Sequence, residues 1–207
     1  MSKLPLDDLL VFSRKAVLAA INRALTDNAA ARRPVLALDG TAGNGVDTEF
    51  LARAVEEEGR VLAFDVQEEA LGRTEQRLDA SGPEDLKRRV RLVRDGHERL
   101  KYYLEPGQQI TAAMYNLGFL PGGASDLTTT AANTLDSLKQ LADVVAPGGV
   151  VSVHCYTGQD NGPEEAEAVR SWAEGLPWSD WRVLRYDFCN KVANREILFL
   201  ACRLDLS

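Results

Sequence analysis

The fold of this chain is decided by the stretch Ala37-Leu38-Asp39-Gly40-Thr41-Ala42-Gly43-Asn44-Gly45-Val46-Asp47-Thr48. It opens at the end of a short apolar run, residues 35–38, which is typical of a buried strand. Glycines at 40, 43 and 45 then allow positive φ and a close approach of the backbone to a ligand. The residues from Asp47 onward have helical spacing. The stretch therefore predicts a strand, a glycine-rich loop and the N-terminus of a helix.

Outside this loop, apolar strands alternate with amphipathic helices along the whole sequence. The predicted strands cover residues 35–38, 61–64, 90–93, 110–115 and 150–155. The predicted helices cover residues 7–26, 47–58, 68–80, 127–145 and 164–176. Residues 181–188 and 196–204 predict a final antiparallel hairpin. This alternation predicts an α/β fold, with a mainly parallel sheet covered by helices on both faces, in one domain over residues 1–207.

Acidic residues follow three successive predicted strands. Asp39 and Asp65 come at the ends of the first two strands, and Asp95 comes just after the third. The carboxyl ends of parallel strands form the ligand site of such sheets, and an acid after the second strand typically binds ribose hydroxyls. Asp39 would repel a pyrophosphate but suits a ligand with a cationic amine. Together the three acids predict a nucleoside ligand with an ammonium group, as in S-adenosylmethionine, whereas the glycine pattern alone would also allow NAD.

The candidate cofactor residues lie in this loop and at the strand ends that follow it. They are Asp39, Gly40, Thr41, Gly43, Asn44, Gly45, Asp47, Thr48, Asp65, Gln67, Asp95, His97 and Asn116. The loop carries no lysine to meet a terminal phosphate, so it is not a P-loop.

Composition excludes several other classes of protein. A net charge of −7 argues against a sequence-independent polyanion binder, although the cluster Lys87, Arg88, Arg89, Arg91 and Arg94 offers a local basic patch. Two histidines and three scattered cysteines, which we expect to be buried free thiols, predict no metal site. No apolar run is long enough to span a membrane, and the first residues lack an apolar signal core. We therefore expect a cytoplasmic protein without a membrane partner.

Four segments together resemble a known family, the bacterial class I methyltransferases known as rRNA methylases. They are the loop Asp39–Thr48, then Phe64-Asp65-Val66-Gln67, Met114-Tyr-Asn-Leu-Gly-Phe-Leu-Pro-Gly-Gly123 and Tyr156-Thr-Gly-Gln-Asp-Asn-Gly162. The resemblance runs in order from about residue 10 to the end. The segment around Asn116 is the most specific of the four, because the glycine loop alone indicates only the superfamily.

The resemblance implies a seven-stranded Rossmann-like sheet, S-adenosylmethionine as cofactor, and tRNA as partner. Members of the family methylate the aminomethyl group of a modified wobble uridine, at position 34 of tRNA. One departure stands out: the family usually has Tyr-His-Gly-His-Pro-x-Gly where this chain has Tyr156 to Gly162, so both histidines are missing. This difference leaves open an rRNA or a small-molecule amine as the acceptor. The sequence also leaves open whether the protein is a homodimer.

Asn116 is the candidate catalytic residue, because related enzymes that methylate amines place an Asp or Asn at this strand end. Its carboxamide would orient the N–H of the nucleophile; the alternative is a turn residue that binds its own backbone. The candidate substrate-binding residues follow it and the fifth strand: Leu117, Gly118, Phe119, Leu120, Pro121, Gly122, Tyr156 and Asp160. A non-catalytic cofactor-binding protein is the remaining alternative, and it would show a degraded segment at Asn116.

Overall fold

The structure, a computed structural model, describes residues 8–28, 34–81, 85–118, 129–158, 161–191 and 195–205. Seven strands form one sheet: β1 Leu36–Asp39, β2 Arg60–Phe64, β3 Val90–Val93, β4 Ile110–Leu117, β5 Val145–Tyr156, β6 Trp181–Tyr186 and β7 Glu196–Arg203. The helices are α1 Leu10–Asn28, α2 Val46–Ala54, α3 Glu68–Ser81, α4 Asp85–Arg88, α5 Ala131–Val144 and α6 Gly162–Gly175. A 3-10 helix covers His97–Tyr103.

The strands are arranged in the order β3-β2-β1-β4-β5-β7-β6. All pairs from β3 to β5 are parallel, whereas β7 is antiparallel to both β5 and β6. The strand order reverses between β1 and β4, which is the place where open α/β sheets bind ligands. The predicted α/β class, the mainly parallel sheet and the C-terminal antiparallel pair are confirmed.

Two apolar cores cover the two faces of the sheet. One core contains Leu38, Tyr115 and Val153 and packs against α5, α6 and the 3-10 helix. The other contains Ala37 and Met114 and packs against α1 and α2. Since side chains alternate along a strand, Asp39, Asn116 and His154 belong to the second face. That alternation brings the polar residues of neighbouring strand ends to the same side of the sheet.

Several predicted boundaries were wrong. Helix α5 begins at Ala131 rather than 127, because Thr130 is extended and its side-chain hydroxyl accepts a hydrogen bond from the Asn133 amide. Strand β5 begins at Val145 rather than at 150, and its register with β4 shifts between Ile110 and Ala112. Helix α2 ends at Ala54, and the sequence did not predict α4 or the 3-10 helix.

Candidate functional site

A cavity of about 380 Å³ lies at the carboxyl ends of β1, β2, β3 and β4, beside the point where the strand order reverses. The loop after β1, the residues after β2 and β3, the end of β4 and the start of α5 form its walls. A larger and shallower groove of about 660 Å³ lies between the 3-10 helix, α5 and α6. Charged side chains of both signs line that groove, and it contains no strand end of the parallel sheet. The cavity at the strand ends is therefore the candidate active site.

The glycine-rich loop is held between two strands by its backbone. The Gly40 amide donates to the Met114 carbonyl in β4, and the Ala42 amide donates to the Phe64 carbonyl in β2. Gly45 has φ +76°, and a Cβ there would lie 2.8 Å from Thr74 Cα in α3. Positive φ and this close approach require glycine at 45. The loop residues that line the cavity are Gly40, Thr41 and Gly43.

Asp39 lies behind this wall rather than on it. Its side chain is 1% exposed, its Oδ1 accepts from the Thr41 amide at 3.0 Å, and its Oδ2 accepts from the Thr48 hydroxyl at 2.6 Å. Burial raises the pKa of Asp39 to about 7, and the nearby Asp47 carboxylate adds to the rise. The structure thus gives Asp39 two roles: it fixes the loop from beneath, and it places a partly protonated carboxyl close to the cavity.

Asp65 and Gln67 line the cavity directly. The Asp65 carboxylate accepts from the amides of Gly43 at 3.0 Å and Gln67 at 2.9 Å, and burial raises its pKa. These two bonds leave further lone pairs of the carboxylate for ligand hydroxyls. The buried Oε1 of Gln67 has no hydrogen-bond partner among the described residues. A polar ligand would satisfy it.

The Asp95 and His97 side chains form the wall on the side of β3. Asp95 accepts from the Tyr103 hydroxyl at 2.7 Å, which is the main cause of the lowered pKa of its carboxyl. His97 is 7% exposed, burial lowers its pKa to about 4, and its Nδ1 has no partner within the described part of the chain. A neutral imidazole and a carboxylate at this wall suit the polar edge of a base.

Asn116 reaches the cavity from the end of β4. Its backbone amide donates to Thr41 Oγ1 at 2.8 Å, and its side-chain Nδ2 donates to the Asp47 carboxylate. Its Oδ1 lies 3.3 Å from His154 Nδ1. Asp47 is also paired with Arg14 of α1 at 2.9 Å. The carboxamide is therefore held at both ends by side chains from α2 and β5.

The other predicted cofactor residues support the loop from outside the cavity. Asn44 accepts from Arg73 and Arg77 of α3, at 3.1 Å and 2.7 Å. Gly45, Asp47 and Thr48 are buried where α2 begins. These four residues are close to the cavity but do not line it.

The predicted substrate-binding residues do not all lie at the cavity. Leu117 is buried in the core on the opposite face, so its side chain does not face the cavity. Gly118 lies on the cavity wall, and the Tyr156 ring is tilted against His154 with 4.4 Å between ring centroids. Burial raises the pKa of Tyr156 to about 12. Phe119, Leu120, Pro121, Gly122 and Asp160 lie outside the described residues.

Sequence reasoning missed a group of residues around Thr129. The Thr129 hydroxyl accepts from the Gly118 amide and donates to Glu165 of α6 at 2.8 Å, and Glu165 is 4% exposed. Thr130 and Asn133 of the same segment line the cavity. A buried glutamate in the first turn of an amphipathic helix has no distinctive sequence signal, which is why Glu165 was not found.

The predicted basic patch is partly neutralised by neighbouring acids. Lys87 Nζ lies 2.8 Å from Glu75 and 3.1 Å from Asp79, and Arg94 lies 2.6 Å from Glu68. Arg91 instead lies over the Tyr103 ring, 5.3 Å from its centroid. Among the described residues, no group of three or more metal-ligating side chains is found, and no helix is long and apolar enough to cross a bilayer. Of the three cysteines, Cys189 is exposed, which corrects the expectation that all are buried.

Comparison with known proteins identifies the family. A family model described as "Putative rRNA methylase" matches residues 61–202, more than half of the chain. The chain belongs to the rRNA methylase family. A "putative rRNA-methylase" of Clostridium thermocellum has 31% sequence identity and a TM-score of 0.84, with 97% of this chain and 100% of that chain covered. A "putative methyltransferase" of Streptococcus mutans, solved in complex with SAH, has 28% identity and a TM-score of 0.78, with 99% and 100% covered.

A curated relative gives a more specific comparison. The chloroplastic tRNA (mnm(5)s(2)U34)-methyltransferase of Arabidopsis thaliana is 31% identical over 168 residues. The match covers 79% of this chain and 61% of the relative's length. Membership of the rRNA methylase family confirms the predicted class of enzyme, a methyltransferase that uses S-adenosylmethionine, together with its Rossmann-like fold.

Proposed function

We propose that this rRNA methylase family member transfers the methyl group of S-adenosylmethionine to the primary amine of an aminomethyl uridine at position 34 of tRNA. The observation that carries the proposal is the Asn116 carboxamide, which is held on the cavity wall by Asp47 and lies beside the glycine-rich loop. Support for the acceptor comes from the Arabidopsis thaliana relative, a tRNA (mnm(5)s(2)U34)-methyltransferase.

The residues on the cavity wall fit the cofactor. Asp65 offers carboxylate oxygens to ribose hydroxyls, while Asp95 and His97 face the side where a base would lie. Two buried atoms of residues on the cavity wall, Gln67 Oε1 and His97 Nδ1, have no hydrogen-bond partner among the described residues, and a polar ligand would satisfy them. Gly40, Thr41 and Gly43 would border the methionine part, with Asp39 buried beneath them. When bound, S-adenosylmethionine supplies an electrophilic methyl group whose leaving sulfur becomes neutral and needs no acid.

The residues of the chain then have to orient the acceptor amine and bind it in its neutral form. An alkylamine is mostly protonated near neutral pH, as a lysine is, and only the neutral form has the lone pair that attacks. Asn116 Oδ1 can accept an N–H of the neutral amine and turn the lone pair toward the methyl group. Asn116 lines the cavity, and the buried Asp47 carboxylate lies behind it, so the acceptor amine meets a polar carboxamide at this wall. Most of the rate acceleration is expected from holding the two reactants in line.

A second acceptor, a small-molecule amine, is favoured by one observation. Lys87 and Arg94 of the basic patch are paired with carboxylates, which lowers the positive charge available to RNA phosphates. The cavity itself would serve a small amine as well as a nucleotide.

The test uses the purified protein, S-adenosylmethionine with an isotopically labelled methyl group, and tRNA that carries the unmethylated aminomethyl uridine. Mass analysis of the digested nucleosides should find the label on that uridine alone. Label on a small amine supplied at equal concentration, with none on the tRNA, would replace the tRNA proposal with the second acceptor. If rRNA fragments are added to the same reaction, label on the rRNA alone would likewise contradict the tRNA proposal.

A further inference from the structure

His154 is a buried ionisable residue that the reaction described above does not use. It lies in β5, directly beside Asn116 of β4 in the parallel register, and both side chains lie on the face covered by α1. The residue is 2% exposed, although its neighbours on the same face of the sheet include the apolar residues Met114 and Leu198. An apolar side chain would fill this place without the cost of burying an imidazole.

The contacts of Asn116 determine which His154 nitrogen carries the proton. A carboxylate only accepts, so the Asn116 atom that faces Asp47 is Nδ2, and Oδ1 is the atom that lies 3.3 Å from His154 Nδ1. Oδ1 also only accepts, so His154 Nδ1 carries the hydrogen. Burial lowers the pKa of His154 to about 4, so the ring is neutral and its Nε2 has a free lone pair.

The hydrogen bond at Nδ1 leaves the other ring nitrogen of His154, Nε2, in an unfavourable environment. His154 Nε2 is buried, has no hydrogen-bond donor within the described part of the chain, and lies 3.7 Å from Glu196 Oε2. Two acceptors facing each other do not stabilise the fold. Packing and stability therefore do not account for histidine at 154, whereas its Nδ1–H contact with Asn116 does.

We propose that His154 is a positioning residue, whose Nδ1–H holds the Asn116 carboxamide so that the second lone pair of Oδ1 remains available to the acceptor amine. Asp47 holds the other end of the same carboxamide, and the Tyr156 ring packs against the imidazole. His154 touches neither reactant, so it acts through Asn116. The inference rests on the proposed function for its kinetic effect, but the contact itself does not.

Three variants at this position separate orientation from packing. His154→Asn keeps a donor two bonds from Cβ, near the place of Nδ1; His154→Gln moves the donor toward the place of Nε2; and His154→Leu removes it. The matched control is Ser152→Ala, also buried on the same face of β5, whose hydroxyl contacts Ser13 at 2.6 Å. Each variant is measured for kcat and KM with aminomethyl-uridine tRNA, for the SAH dissociation constant and for thermal unfolding.

We expect His154→Leu to lower kcat by about 10- to 100-fold, the range that a small misplacement of a reacting group produces. KM and the SAH dissociation constant should not change, and the melting temperature should stay the same or rise. His154→Asn should recover most of kcat, His154→Gln should not, and Ser152→Ala should keep the kcat of wild type even though it leaves the buried Ser13 hydroxyl without its partner. Full activity of His154→Leu, or equal rescue by Gln and Asn, would overturn the proposal.

A second measurement does not depend on the acceptor. Nitrogen NMR of the His154 ring should show the neutral Nδ1–H tautomer in the wild-type protein and a loss of this preference in Asn116→Ala. The Nε2–H tautomer in the wild type would overturn the proposal even without an active assay. The Nδ1–H tautomer in a protein that methylates no tRNA would support the positioning contact and contradict the tRNA acceptor instead.

Discussion

Replacing Asp39 with Asn should stabilise the cofactor-free protein, and the gain should grow as pH rises. The Asp39 carboxyl is fully buried, and its pKa is raised from 3.8 to about 7, first by burial and then by the Asp47 carboxylate. Between these two values the folded state holds a proton that the unfolded state has lost. The stability that this proton contributes is complete below pH 3.8 and is lost as pH rises toward 7.

The size of the effect follows from the two pKa values. Each pH unit in this window costs about 1.4 kcal/mol, so about three units amount to roughly 4 kcal/mol by pH 7 and no more above it. The amide side chain of the Asp39→Asn variant carries no charge at any of these pH values, so the variant does not lose this stability as pH rises. Its oxygen can still accept from the Thr41 amide, and Thr48 can rotate to accept from its NH₂ group.

The assay is urea unfolding of wild type and Asp39→Asn at a series of pH values from 5 to 9. The difference in unfolding free energy should increase up to about pH 7 and then remain constant. The control is Asp143→Asn, an exposed carboxylate whose ion pair with Lys101 is open to solvent and contributes little. A difference that does not change with pH would refute a raised pKa at Asp39.

Three further predictions concern the site. Asp65→Ala should weaken SAH binding on the order of 100-fold, since it removes the ribose acceptor and the partner of two loop amides; an SAH dissociation constant equal to that of wild type, measured by calorimetry, would contradict the assignment. Asn116→Ala should keep SAH affinity but lower kcat by about 100-fold, and unchanged turnover would exclude its catalytic role. Arg91→Glu should raise the KM for tRNA without changing the affinity for SAH. Lys87→Glu is the control, because Lys87 is already paired with Glu75 and Asp79. Equal KM values for tRNA in the two variants would exclude this patch as a docking surface.

Local pattern was sufficient for most of the fold. Short apolar runs, Gly45 and the alternation of strands with helices predicted the parallel sheet and its antiparallel end, because these features depend on neighbours in sequence. The boundaries failed where a contact distant in sequence decided them. The register shift between Ile110 and Ala112 extends β5 back to Val145, and the hydroxyl of Thr130 sets the start of α5.

For the candidate site, too, the sequence predicted some features, whereas others became visible only in the tertiary structure. The sequence by itself placed Asp39, Asp65, Asp95 and Asn116 at strand ends, because the carboxyl ends of parallel strands meet at one edge of a sheet. It could not tell that Asp39 is buried beneath the loop while Asp65 is open to the cavity, since both end a strand in the same pattern. Only the tertiary structure brings Asp47 and His154, 69 and 38 residues from Asn116, into contact with one carboxamide. The physical reason is that strand periodicity determines the face of each side chain, whereas burial and hydrogen-bond partners depend on how separate elements pack.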